Sequence, residues 1–335
     1  MRVLLAPDCF GGTLSAPEAA GALASGWRSV RPHDALVERP LSDGGPGFLD
    51  CLPGTRVAVL VEDPLGRLVL ASYLLDGATA YVESAEAAGL HLLAPEDRDP
   101  WRATTRGVGL LVAAARGAGA TRVVVGLGGS ATNDGGRGFL ETAGDLAGVE
   151  LVAATDVTSP LLGEAGASRV FGPQKGASPG QVEELEGRMA AWADELEGRL
   201  GASVRDEPGA GAAGGLGFAL LALGATRESG AAVVGRAVGL AEAVAGSDLV
   251  VTGEGRLDAS SFRGKVVQHV AQVAAEAGVP CAAVAGEVLL GRREAAAAGL
   301  AETLSLVEEV GRERALGDAA AALAECAALL ARRWQ

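Results

Sequence analysis

The densest run of residues suited to chemistry lies between Arg122 and Gly138, RVVVGLGGSATNDGGRG. Val123 to Val125 with Gly126-Leu127 form a short apolar run that fits a buried strand, and it stops at Gly128-Gly129. From Gly128 to Gly138 the chain offers five glycines together with Ser130, Thr132, Asn133 and Asp134, before Phe139-Leu140 opens a helical pattern. A strand, a glycine-rich turn and a helix start gather backbone N–H groups around one point, and the helix dipole favours negative charge there: an anion cradle. A plain turn needs only one or two such residues, so the surplus argues for function.

Other strand ends carry acids. An apolar run at Val3 to Ala6 ends at Pro7-Asp8, and a second at Ala35 to Arg39 leads into Ser42-Asp43-Gly44-Gly45-Pro46-Gly47. Open α/β sheets place ligands at such carboxyl ends, but aspartate is also a favoured helix cap, and both readings of Asp8 and Asp43 stand. Asp248 to Thr252 (DLVVT) runs into Gly253-Glu254-Gly255-Arg256-Leu257-Asp258. Two carboxylates and an arginine between glycines offer a metal ligand, a phosphate clamp and a base; the alternative is a structural ion pair between Arg256 and Asp258. Lys175 stands in SRVFGPQKGA, between a proline turn and a glycine, where a point charge suits a phosphate oxygen. It and Lys265 are the only two lysines, although a solvated loop lysine is the commoner situation.

The elements that must position these residues follow from periodicity. Ser15 and Glu18 form a capping box for a helix over about 16–29, stopped before Pro32. Strand-like runs at Val57 to Val61, Leu68 to Leu75 and Thr79 to Val82 are joined by Pro64-Leu65-Gly66 and Asp76-Gly77 turns, an antiparallel signature and a domain boundary near residue 63. Glu83 to Gly89 and Val108 to Arg116 read as helices, and Leu151 to Ala154 as a strand. Ser178-Pro179 opens an amphipathic helix whose stripe of Val182, Leu185, Met189, Trp192 and Leu196 reads as core. Gly209 to Gly214, GAGAAG, is a literal GxGxxG, but Arg205-Asp206-Glu207-Pro208 before it is no buried strand, so a dinucleotide fingerprint is rejected; a helix is expected around Leu216 to Leu223. Strands at Cys281 to Ala285 and Thr303 to Val307 alternate with helices to the end. The expected fold is α/β: a doubly wound, Rossmann-like domain from both chain ends (1–63 and 240–335) and an inserted α/β domain with a mixed sheet (64–239).

Composition bounds the partners. The 335 residues carry 28 Lys and Arg against 42 Asp and Glu, a formal charge of -14, which argues against nucleic acid or an anionic membrane. Cys9, Cys51, Cys281 and Cys326 form no CxxC pair, so neither a disulfide framework nor a zinc site is expected, and a reducing cytosol is the default compartment. The N-terminus does not read as a signal peptide, and no segment approaches bilayer-spanning length. A small-molecule substrate is expected, and a homodimer is compatible with the sequence.

Acidic glycine-rich strand ends, an anion cradle and two isolated lysines match phosphoryl transfer, where catalysis is chiefly positioning and charge neutralisation. There is no Walker A sequence and no protein-kinase signature, and His33, His91 and His269 sit in no motif, which leaves a hydrolytic triad little support. In their order, MRVLLAPDCFGGTLSA, LSDGGPG, VVVGLGGSATNDGG, ATDVTSPLLGEAGASRVFGPQKGA, PGAGAAGGLG and VTGEGRLDASSFRGK resemble the hallmark segments of the bacterial type I glycerate kinases, from end to end. The resemblance implies ATP-dependent phosphorylation of glycerate, most readily to 2-phosphoglycerate, with Mg²⁺, in an interdomain cleft. It implies nucleotide-phosphate binding at Gly128, Gly129, Ser130, Asn133 and Asp134, with Asp134 and Glu254 on the metal. Lys175 would neutralise phosphate charge, Asp8 and Asp43 would orient or deprotonate the acceptor hydroxyl, and Glu254, Arg256 and Asp258 would hold Mg²⁺ or the substrate carboxylate. The family's first loop usually reads DSFKG, where this chain has Asp8-Cys9-Phe10-Gly11-Gly12, and its second DGGEGT, where this chain has Asp43-Gly44-Gly45-Pro46-Gly47-Phe48. Beside glycerate phosphorylation stand two alternatives, a kinase for another small hydroxy acid and a non-catalytic binder of nucleotide or organic acid.

Overall fold

The computed structural model describes residues 1–201, 203–262 and 264–334. In chain order its strands are β1 (Arg2–Leu5), β2 (Ala35–Glu38), β3 (Thr55–Glu62), β4 (Leu68–Asp76), β5 (Thr79–Glu83), β6 (Arg122–Gly126), β7 (Glu150–Ala154), β8 (Thr226–Glu228), β9 (Leu249–Thr252), β10 (Arg256–Leu257), β11 (Cys281–Ala285), β12 (Glu287–Val288) and β13 (Leu300–Ser305). They divide between two compact units, the first made of Met1–Asp43, Asp50–Leu52 and Ala231–Gln335, the second of Gly44–Leu49 and Pro53–Gly230. β3, which a boundary at residue 63 leaves with the chain ends, pairs antiparallel with β4 along its whole length and lies in the second unit.

The first unit holds a five-stranded sheet, β13-β11-β9-β1-β2, parallel throughout. Its central strands are covered on both faces: β9 and β11 are wholly buried, which is why they read as the uninterrupted apolar runs LVVT and CAAVA. β1 is followed by helix Ala16–Val30 and β2 on one side; from β9 the chain passes through helix Val266–Glu276 to β11 on the other. The order therefore reverses between β1 and β9, the switch point at which such sheets open a crevice. Helix Ala16–Val30 begins with the expected capping box and packs through Leu23 and Trp27 into the core shared with Leu323 and Leu330 of helix Ala319–Arg333.

The second unit holds a six-stranded mixed sheet, β3-β4-β5-β6-β7-β8, antiparallel from β3 to β5 and parallel from β5 to β8. Gly77 takes φ +57° in the tight turn between β4 and β5, where the Asp-Gly pair predicted it. Val123 and Val125 of β6 meet Leu111, Phe139 and Leu216 in the core of this unit. Helix Pro179–Leu200 buries Val182, Leu185, Met189, Trp192 and Leu196, the stripe read from sequence.

Some boundaries differ. Glu83 closes β5 and only Ala85–Ala88 is helical, because strand pairing to Gly126 carries through Glu83. Val307 lies in helix Leu306–Val310, as Ser305 ends β13 and accepts from the Glu308 N–H as its cap. Among the described residues no helix is long and apolar enough to cross a membrane.

Candidate active site

At the switch point of the first unit, β1 and β9 extend past their ends side by side: the Asp8 N–H donates to the Gly253 carbonyl at 2.8 Å. Glycine is needed in this second strand end because a Cβ on Gly253 would strike the Val284 carbonyl, and one on Gly255 would sit 3.1 Å from the Gly11 nitrogen. The close approach brings Asp8, Asp43, Glu254 and Arg256 around one cavity of about 410 Å³. Cys9, Gly11 and Thr13 line it as well, as do Lys265, Glu287 and Arg312. Asp258, expected with this group, is not among the lining residues; it pairs with Arg256 at 3.4 Å.

The acids crowd one another. Burial raises the Asp8 carboxyl to about 8, with the charges of Asp43 and Glu254 adding to it and the bond from the Cys9 N–H, 2.7 Å, opposing it. Burial likewise raises Glu254, whose Oε1 is shielded from solvent and has no hydrogen-bond partner. The Cys9 thiol is pushed up to about 12 by burial and then by Asp8 and Asp43, which keeps it a thiol and no nucleophile. A pocket with more carboxylate than it can comfortably ionise, one oxygen of it unsatisfied, fits a divalent cation that takes one or two carboxylates and leaves its remaining positions to phosphate and water. Among the described residues no group of three or more His, Cys, Asp or Glu is placed to hold a metal ion.

The glycine-rich stretch of the second unit is built differently. Gly128 and Gly129 follow β6, and a Cβ on either would meet Gly45 or Pro46 at 2.5 Å, so the loop that begins at Gly44 packs directly on this turn. Among the described residues the Gly128 and Gly129 N–H groups donate to no acceptor. Asp134 serves its own loop. Its carboxylate accepts from the Thr105 N–H (2.8 Å) and hydroxyl (2.9 Å), the Thr104 hydroxyl (3.3 Å), and the N–H groups of Gly136 (3.0 Å) and Gly138 (3.1 Å). The N-cap of the short helix Arg137–Thr142 is Gly136, and the Gly136 and Gly138 N–H groups that could face an anion at the helix start are instead taken by Asp134. Asn133 donates to the Ser168 hydroxyl at 2.9 Å and keeps a buried, unpartnered Oδ1.

Lys175 is not a solvated loop lysine. It is 2% exposed, and its ammonium donates to the Ser130 hydroxyl at 2.9 Å and the Thr132 carbonyl at 2.7 Å. Burial lowers its pKa to about 7, against the opposing pull of Asp134. Behind the loop, the rejected GxGxxG acts as a buttress. Ala213, Gly214 and Gly215 take φ of +49°, +66° and +87°, and a Cβ on Gly214 would collide with the Thr132 carbonyl. The Gly135 N–H donates to the Gly214 carbonyl at 3.0 Å.

Thus Asp8, Asp43, Glu254 and Arg256 gather in one unit, and Gly128, Gly129, Ser130, Asn133, Asp134 and Lys175 in the other. Sequence reasoning did not select Arg312, which lines the acidic cavity and holds Glu287 at 2.6 Å, because it stands more than fifty residues beyond Glu254 and follows helix Leu306–Val310 and Gly311 rather than a strand end. Lys265 carried a signal in the scarcity of lysines, and its charge works against the upward shift of Glu254.

A family model described as the glycerate kinase family matches residues 3–146 and 141–335. The glycerate 2-kinase of Escherichia coli K12 is 40% identical over 326 residues, 86% of this chain and 86% of that protein. An uncharacterized protein of Mycobacterium bovis is 48% identical over 349 residues, 99% of this chain and 91% of that one. A solved structure from Salmonella typhimurium LT2 with a provisional glycerate kinase 2 name superposes with a TM-score of 0.83 at 35% identity, covering 99% of this chain and 98% of that one.

Proposed function

We propose that this chain, which belongs to the glycerate kinase family, transfers the γ-phosphoryl group of ATP to a hydroxyl of glycerate, giving 2-phosphoglycerate. Membership makes it a phosphotransferase acting on an alcohol group; the nucleotide, the carbon and the residue roles are the finer reading. The observation that carries it is the acidic cavity at the β1/β9 switch point, where Asp8 titrates at about 8 beside Glu254 and a rim of cations.

In this reading Asp8 receives the proton of the acceptor hydroxyl as its oxygen bonds to phosphorus and the bond to ADP breaks. A base titrating near neutral pH suits that transfer. Asp43 orients the hydroxyl, while Arg256, Lys265 and Arg312 supply positive charge for the substrate carboxylate. Glu254, with its unsatisfied Oε1, would hold Mg²⁺, which when bound neutralises charge on phosphoryl oxygens. Asp134 was expected on the metal as well; its five hydrogen bonds instead favour a positioning role, fixing the glycine-rich turn. Gly128 and Gly129 offer N–H groups to nucleotide phosphate, and Ser130 and Asn133 flank them. Lys175 neutralises charge through the loop, its ammonium one hydrogen bond behind the Ser130 hydroxyl.

The test is ATP consumption dependent on glycerate, with the product identified by ³¹P NMR and a panel of small hydroxy acids run in parallel. Glycerate is expected to be turned over to the 2-phosphate. Full turnover by both Asp134→Ala and Lys175→Ala would overturn the assignment of the glycine-rich loop, and binding of ATP with no turnover of any acceptor would overturn the activity.

A further inference from the structure

The mixed sheet ends on β3, an eight-residue edge strand that contains neither proline nor lysine. One face of the β3–β4 hairpin packs Val57, Val59, Val61 and Val69 onto the core. The other displays Leu60, Leu68 and Leu70, which are 61%, 72% and 69% exposed, with Leu60 directly opposite Leu70. Edge strands in natural sheets are usually blunted by charged side chains, proline, a bulge or shortness; this one is long and regular, and between Arg56 and Glu62 near its ends its outer face is apolar.

We propose that β3 pairs antiparallel with β3 of a second copy of this chain, about a twofold axis at Val59, so that the two six-stranded sheets become one. The occupant follows from the strand's own charges. With the axis at Val59, Arg56 stands opposite Glu62 of the second copy and Glu62 opposite its Arg56. Between them Ala58 faces Leu60, all on the outer face, while Val57 faces Val61 on the core side. Side chains directly opposite in an antiparallel pair share a face and interact, and a twofold axis repeats each contact. A slip of one residue would set core-facing side chains against outward-facing ones, and a slip of two would break both charge pairs, so a single register is selected. Within its own chain Arg56 meets the Ser72 hydroxyl at 3.2 Å and Glu86 at 3.7 Å, and Glu62 pairs with Arg106 at 2.9 Å, so the pairs across the axis are shared with these partners and hold both side chains at the strand edge.

Sedimentation velocity on the full chain across protein concentration tests this surface, with far-UV circular dichroism to verify each fold. A dimer is expected. Arg56→Glu should weaken it roughly tenfold by placing like charges opposite one another, Leu60→Lys should weaken it through the apolar centre, and the swap Arg56→Glu/Glu62→Arg should restore it. A chain that stays monomeric at about 100 μM, or a dimer indifferent to both Arg56→Glu and Leu60→Lys, overturns the surface. Weakening by both single variants without rescue by the swap overturns the register.

Discussion

The acidic cavity and the glycine-rich loop hold their ionisable groups under opposite strain. At the β1/β9 switch point Asp8 is buried beside Asp43 and Glu254, and it responds by holding its proton up to about 8 despite the cations on the cavity rim. In the second unit one ammonium is buried against a hydroxyl and a carbonyl, and Lys175 responds by releasing its proton near 7. Both environments disfavour the charged form by desolvation, but only the first adds like charge to it. Under the proposed function a cation would relieve the first and an anion the second. A family built on phosphoryl transfer would carry both.

Removing one charge from each region should have the largest effects. For Asp8 the folded pKa, about 8, lies above the ordinary 3.8, so between those values the folded chain holds the extra proton and stability falls as pH rises. For Lys175 the folded pKa, about 7, lies below the ordinary 10.5, so the unfolded chain holds the extra proton and stability rises with pH from about 7 to 10.5. Asp8→Asn is therefore expected to lose about 10²–10⁴ in kcat while removing the alkaline-side decline between pH 4 and 8. Lys175→Met should remove the rise above pH 7. Urea unfolding across pH reads both, and identical profiles for the two variants would mean that the regions are not strained in opposite senses.

How far the sequence disclosed this contrast depended on distance along the chain. Strand ends marked by Asp8, Gly253-Glu254 and Gly128-Gly129 were legible, because a buried parallel strand is a short apolar run and its end is punctuated by glycine. The burial of Lys175 was not, since it is created by Ser130 and Thr132, more than forty residues earlier, and a loop lysine looks the same in either setting. The work of Asp134 was hidden for the same reason. Its partners Thr104 and Thr105 lie about thirty residues upstream, and from its own loop alone it reads as well for a metal ligand as for a cap. GAGAAG kept its glycines for left-handed backbone and close packing, a need that a motif match cannot distinguish from nucleotide binding.

Smaller in effect, Asp134→Asn separates loop support from charge. An amide keeps one acceptor oxygen but turns an N–H₂ toward donors that now have no acceptor, at a cost of about 2–3 kcal/mol in urea unfolding. Retained stability would show that the five hydrogen bonds do not hold the loop. The acidic cavity, in the other unit, should keep the pH profile set by Asp8, so any change in that profile on substituting Asp134 would break the independence of the two regions.

The smallest expected effect lies behind the loop. Ala213 is the one non-glycine residue with positive φ among those described, at +49°, beside Gly214 and Gly215, which share its left-handed conformation. An alanine there pays roughly 1–2 kcal/mol for the contact of its Cβ with the backbone, and glycine removes that strain but frees the unfolded chain. The net expectation for Ala213→Gly is a gain of up to about 1 kcal/mol with kcat unchanged. A loss of stability would mean that the Ala213 methyl, packed at the margin of the core formed by Leu216 and Phe139, contributes more than its strained backbone costs. In that case the buttress behind the glycine-rich loop is held by packing, and its left-handed run is a consequence of that packing rather than its support.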